Sequence, residues 1–202
     1  MSNILSLDIE TANFSWEIGG WNNMSLFEPS VVATWDGSSA NVFTKAEVQI
    51  DNAHVHDLHP QVLGDFLQSH IEKGGRLLGH NIKSFDLPVI REALDCWAVG
   101  DIMGKSDAVI DTKNLFSKHS LSYGKLLTGL NDLARCNLDE VKLMESADAP
   151  TAWREGRHND VIEYCLKDAQ LTYDLYMKGR EDGFLKSRCL ETGNIVEVEL
   201  EW

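Results

Sequence analysis

The sequence predicts an α/β chain: a mixed sheet with helices on both sides and a β-hairpin at the C-terminus. Three observations carry this reading. The 202 residues are 43% hydrophobic, enough for a single domain over 1–202 with a full core. Short apolar runs of strand length are interleaved with longer segments of helical spacing. Near the C-terminus the pattern changes to strict alternation, with Val196, Val198, Leu200 and Trp202 separated by Glu197, Glu199 and Glu201.

The elements follow in order. "NILSLDIE" reads as a buried strand with a polar end at Asp8 and Glu10, and as the first strand it belongs near the centre of the sheet. "SVVATWDGSSANVFTKA" reads as a hairpin around a Gly-Ser turn. "HPQVLGDFLQSHIEKGG" has apolar residues at helical spacing and ends in Gly74-Gly75. "RLLGHN" is a short strand. "SFDLPVIREALDCW" is a helix with Ser84 as N-cap and Pro88 in the first turn. "AVIDT" is another strand, and "KNLFSKHS" and "GLNDLARCNL" are helices. After the irregular stretch "DEVKLMESADAPTAWREGR", the longest helix runs from about Asn159 to Gly179. Residues 183–202 form the closing hairpin, where Lys186 and Arg188 are placed to pair with the glutamates across the turn.

Composition narrows the class. The four cysteines, Cys96, Cys136, Cys165 and Cys189, are scattered and form no CxxC pair. They read as reduced thiols of a cytoplasmic protein. No apolar run reaches membrane-spanning length, and no signal-like segment is read at the N-terminus. The formal charge of −14 argues against a general phosphate binder. The charge is uneven, however. Lys and Arg are absent before Lys45, whereas Lys73 to Lys125 holds eight of them with a comparable number of acids.

Three pieces of sequence carry chemistry. Residues i and i+2 of a strand share a face, so Asp8 and Glu10 project together and raise each other's pKa unless a cation joins them. Mg²⁺ and Mn²⁺ prefer such oxygen ligands. In "GHNIKSFDLPVI", Asp86 falls at a helix N-terminus, where the macrodipole favours its ionised form. In "VIEYCLKDAQLTYDLY", Tyr164 and Asp168 share a helix face that borders the buried stripe. Each piece alone has a structural alternative: a polar strand end, a first-turn acid, a Tyr-Asp hydrogen bond.

In combination, the order DxE, NxxxxD and YxxxD resembles the DEDD exonucleases of the ribonuclease H-like superfamily, and more narrowly their tyrosine-bearing DEDDy subgroup, which includes polymerase proofreading domains. "LNDLAR", "AWREG" and the final "EW" are similar to stand-alone exonucleases predicted for that group. The resemblance implies a five-stranded mixed sheet with helices on both sides, and 3′-to-5′ removal of nucleotides from single-stranded DNA or RNA ends. It implies two divalent ions, Mg²⁺ or Mn²⁺, held by Asp8, Glu10, Asp86 and Asp168. Tyr164 then orients the attacking water, since a neutral phenol is too weak a base. Candidates for holding the substrate are Thr11, Asn81, Lys83, Lys142, Arg154 and Arg157. Trp153, Trp16 and Trp21 are candidates for base stacking or for wedging the terminal base. Two alternatives remain open: an RNA-trimming or short-oligonucleotide nuclease, and a non-catalytic accessory module of a replication or repair complex. The apolar alternation ending at Trp202 leaves room for a protein partner or a second copy.

Overall fold

The computed structural model describes residues 3–119 and 123–200. Strand β1 (Ile4–Thr11) lies inside a six-stranded mixed sheet. The other strands are β2 (Pro29–Trp35), β3 (Ala40–Thr44), β4 (Ala53–Asp57), β5 (Arg76–Gly79) and β6 (Val109–Asp111), in the order β4-β3-β2-β1-β5-β6. β1 runs antiparallel to β2 and parallel to β5, so it is hydrogen-bonded on both edges. The turn between β2 and β3 is closed by Asp36, whose Oδ1 accepts from the Ser38 and Ser39 amides, and by Gly37 at φ 96°.

Period-2 alternation along β1 decides the whole arrangement. The odd-numbered Leu5, Leu7 and Ile9 enter a core with α1 (Pro60–Glu72), α2 (Asp86–Ala93) and α3 (Trp97–Met103). The even-numbered residues face the other side, which is covered by α6 (Ala149–Arg154) and α7 (His158–Asp182). There Val31, Ala33 and Val42 of the sheet pack against Val161, Ile162, Tyr164 and Cys165 of α7. Asp8 and Glu10 therefore point under α7 because Leu7 and Ile9 are needed on the opposite face.

A further apolar cluster joins α4 (Thr112–His119), α5 (Leu130–Asn137) and the C-terminal half of α7 to an antiparallel hairpin, β7 (Phe184–Arg188) and β8 (Ile195–Glu199). Leu185, Val198 and Leu200 supply its buried side chains. The hairpin is a separate two-stranded sheet, and Gly183 in the left-handed region at φ 80° turns the chain out of α7.

Several expectations change. The sheet has six strands, not five. β4, "AHVHD", is an edge strand with no apolar run, because only its contact with β3 holds it in place. Helix α2 starts at Asp86 with Phe85 as the cap residue rather than Ser84. The Ser84 and Phe85 amides are already taken by the carbonyl of Asn81, so the chain is still in a turn at Ser84. The stretch read as irregular contains α6, and α7 runs one residue earlier and three later than expected. In the hairpin, Lys186 lies 4.0 Å from Glu197, but Arg188 donates to the Gly193 carbonyl instead of to a glutamate. Ser120, Glu201 and Trp202 lie outside the described residues. No helix among the described residues is long and apolar enough to cross a membrane, and all four cysteines are free thiols.

Candidate metal centre

Asp8 and Glu10 leave the centre of the sheet half-buried, and the buried Asp168 of α7 comes down onto them. Carboxylate oxygens of the three lie within 4.8 Å of one another. Residues 160 positions apart in sequence meet because α7 packs across β1, where the Cys165 thiol donates to the Asp8 carbonyl at 3.3 Å. Asp86, at the first turn of α2, lines the same cleft but stands outside that tight set.

The electrostatics follow from crowding. Burial, then repulsion from Asp168, Asp86 and Glu10, pushes the Asp8 carboxyl well above the usual carboxylate range. Glu10 is pushed up by burial and by Asp168. Burial raises Asp86 to about 7 against the pull of backbone amides, with Asp111 adding repulsion. Asp168 is raised by burial, although Lys142 opposes the shift. Two oxygens, Asp8 Oδ2 and Asp168 Oδ1, are buried without any hydrogen-bond partner. Buried carboxylate oxygens are costly in that state, and a hard divalent cation is the ligand whose chemistry matches them. The donor set thus fits a metal ion.

The site's edge is formed by residues that sequence reasoning only partly anticipated. Lys142 turns inward and its ammonium forms an ion pair with Asp168 Oδ2. It also donates to the Tyr164 hydroxyl at 2.8 Å and to Ser146 Oγ at 3.3 Å. Burial would lower the Lys142 pKa, but Asp168 and Asp8 hold it above its ordinary value. Tyr164 is fully buried. Its hydroxyl bonds Ser146 Oγ at 2.8 Å, and burial with the nearby Glu10 and Asp168 raises its pKa far above that of a free phenol.

Around the acids lies a cleft of about 900 Å³. Thr11 and Asn81 line it, Thr11 donating to the Asn13 carbonyl at 2.9 Å. One wall is aromatic: Trp16 is 72% exposed and stacks on Phe14, and Trp21 is 62% exposed with its edge against Phe85. The other cations expected at the substrate are used elsewhere. Arg154 makes a two-pronged ion pair with Glu17 at 2.8 and 2.6 Å, and its Nε donates to the Ala12 carbonyl. It fastens the 12–17 loop instead of facing the cleft. Arg157 pairs with Glu155 and Asp160 at the start of α7. Lys83 projects to a neighbouring groove beside Arg76 and Lys118. Trp153 packs against His158, with ring centroids 4.3 Å apart, away from the cleft lining.

Two residues of this region were not singled out from sequence. Asp111, at the end of β6, is buried and accepts the amides of Asn81, Lys113 and Asn114 on Oδ1 and that of Lys83 on Oδ2. Asn114 Nδ2 adds a fifth donor. Asp111 caps α4 and pins the 80–83 turn that leads to Asp86. The signal was present: an aspartate immediately before a helix, at the N-cap position. His80 bridges the Thr112 hydroxyl and the Thr128 carbonyl, each at 2.8 Å, and burial lowers its pKa to about 4, so it stays neutral.

Compared with known proteins, the chain matches no protein-family model and none of the curated proteins.

Proposed function

We propose that this chain is a metal-dependent 3′-to-5′ exonuclease of the DEDDy type in a ribonuclease H-like fold, acting in the cytoplasm on single-stranded DNA or RNA ends. The observation that supports this most is the convergence of Asp8, Glu10 and Asp168, with two partnerless buried oxygens, at the floor of a cleft with an aromatic wall. Those three residues, with Asp86 in the same cleft, would hold two divalent ions. Such ions, Mg²⁺ or Mn²⁺, supply a water of lowered pKa and positive charge to balance the anionic phosphorus centre.

The chain's own residues account for the rest. Tyr164 keeps its proton at any physiological pH, so its hydroxyl orients a water by hydrogen bonding and does not act as a base. Exposed Trp16 and Trp21 offer flat apolar surfaces to unpaired bases, each stack being worth about 1–3 kcal/mol. Asn81 and Thr11 lie at the cleft where a terminal nucleotide would rest. In the reaction a water oxygen bonds to phosphorus, the P–O3′ bond breaks, and a nucleoside 5′-monophosphate leaves a chain shortened by one unit. The acidic surface is compatible with this, because the ions and not the carboxylates would face the phosphate.

The test is a time course on 5′-labelled single-stranded DNA and RNA with Mg²⁺, Mn²⁺ or EDTA. A ladder shortening from the 3′ end, absent in EDTA and in Asp8→Ala, is expected. The two oligonucleotides report the sugar preference. Intact substrates with both metals would overturn the proposal.

A further inference from the structure

The segment 139–148, between α5 and α6, has neither helix nor strand, and its Lys142, Ser146 and Ala147 line the cleft that holds the acidic site. It is fastened to α7 by polar contacts at three successive points. Glu140 pairs with Lys167, Lys142 with Asp168, and Ser146 with the Tyr164 hydroxyl. Its apolar residues give little anchoring: Val141 is 49% and Leu143 62% exposed, and only Met144 packs against the α6–α7 core. A segment held this way, by polar contacts with little apolar burial, opens at low free-energy cost.

Its contacts coincide with the groups that the proposed function requires to be free. Lys142 covers Asp168 Oδ2, and Lys142 and Ser146, both from this segment, hydrogen-bond the Tyr164 hydroxyl. The ammonium thus stands where a cation belongs, while Asp8 Oδ2 and Asp168 Oδ1 remain unpartnered. A single positive charge satisfies part of the cluster, and a divalent ion would satisfy more. Lys142 also has somewhere to go. It borders a second depression of about 520 Å³, whose lining includes the acids Glu145 and Asp148 together with Arg157.

We propose that 139–148 is a metal-operated latch. In the metal-free protein the Lys142 ammonium caps the acidic cluster and holds Tyr164. A divalent cation entering among Asp8, Glu10 and Asp168 displaces it, and the segment and the Tyr164 hydroxyl are released together. The inference rests on the metal-binding reading of this site and adds to it a regulatory contact: the site is closed by its own side chain until the ion arrives.

The test uses Mn²⁺ alone as probe and no nucleic acid, so it is independent of nuclease activity. Calorimetric titration should show Lys142→Met binding Mn²⁺ at least about tenfold tighter than the wild type, the usual scale for removing a charged hydrogen-bonded competitor. Hydrogen exchange of 139–148 should accelerate when Mn²⁺ is added to the wild type, and be fast without metal in Lys142→Met. Lys167→Met, which loosens the segment at Glu140 without entering the acidic cluster, should give a smaller gain in affinity; it keeps the proposal testable should Lys142→Met fail to fold. Equal or weaker Mn²⁺ binding in the folded variants, or exchange in 139–148 that Mn²⁺ leaves unchanged or slows, would overturn the latch. Latch behaviour without nucleotide release would leave it standing and remove the exonuclease reading.

Discussion

Two buried carboxylates in the same half of the molecule are treated in opposite ways. Asp111 receives five N–H donors, four of them backbone amides, and every one comes from the turn or helix that it organises. Asp168, similarly buried, has one oxygen on a lysine and the other on nothing, and faces two further acids. Folding alone satisfies the first. The second is stable only with help from outside the backbone, from Lys142 or from an ion. A carboxylate paired with amides holds structure together, whereas one facing other carboxylates is a place for a cation. The contrast separates the acid that builds the site from the acids that would use it.

The comparison breaks most visibly at Asp111. Asp111→Ala leaves part-buried amides at the 80–83 turn and at the start of α4 without an acceptor. At about 1–3 kcal/mol for a buried donor left unpaired, the loss should be about 3 kcal/mol or more, read from urea unfolding in EDTA. A cost below about 1 kcal/mol would mean that water replaces the carboxylate and that Asp111 organises nothing.

Next in size is the response to pH. Asp86 has its folded pKa raised from 3.8 to about 7, so the folded state keeps a proton that the unfolded chain releases. Its contribution is most favourable below pH 4 and declines as pH rises toward 7, by about 1.4 kcal/mol per unit for one proton. Asp8 and Glu10, also raised, act in the same direction. His80 has the opposite sign. Its folded pKa lies near 4 against 6.5 unfolded, so its contribution is full above 6.5 and is lost as pH falls toward 4. Melting temperature in EDTA should therefore fall between pH 6.5 and 7.5, where His80, with His56 and His70 whose pKa values burial also lowers, opposes the acids only in part, and Mn²⁺ should reduce that fall. A metal-free melting temperature that climbs over this interval would contradict the crowded-acid description.

Tyr164→Phe keeps the ring in its core and deletes a hydroxyl shared by Lys142 and Ser146. Metal-free stability should drop by about 1 kcal/mol. Nucleotide release should slow roughly ten- to a thousandfold while some turnover survives, as expected for one lost oriented hydrogen bond. Full turnover would make the tyrosine a packing residue only.

The smallest effect on stability is expected at Asp8. Asp8→Asn removes one charge from a repelling group, so stability in EDTA should change by less than about 0.5 kcal/mol or rise slightly, while nucleotide release should be abolished. A destabilisation comparable to that of Asp111→Ala would erase the distinction between the two kinds of carboxylate.

Much of this is legible in the sequence. The i, i+2 spacing of Asp8 and Glu10 gives their common face, and the apolar partners Leu7 and Ile9 assign the opposite face to the core, as observed. The four-residue spacing of Tyr164 and Asp168 likewise puts both at the site. What the sequence could not show depends on pairings between distant segments. Strand β4 has no apolar signature, because an edge strand is specified by its neighbour. Lys142, Arg154 and Arg157 look alike as unassigned cations in an irregular stretch. Their separate fates, on Asp168, Glu17 and Glu155, depend on which acid each meets after folding. Asp111 was readable as a helix cap but not as the clamp of the 80–83 turn, thirty residues earlier in the chain.

The placement of Asp168 on α7 also has a consequence for synthesis. β1, with Asp8 and Glu10, leaves the ribosome well before α7, the helix that completes the acidic set. Until α7 is made, the face of β2 and β3 that it covers has no partner, and neither Asp168 nor a docked Lys142 is there to close the centre. Nascent fragments therefore carry the first two acids without the means to gather a metal ion among three. The acidic set would therefore be complete only once α7 has been made and has docked across β1.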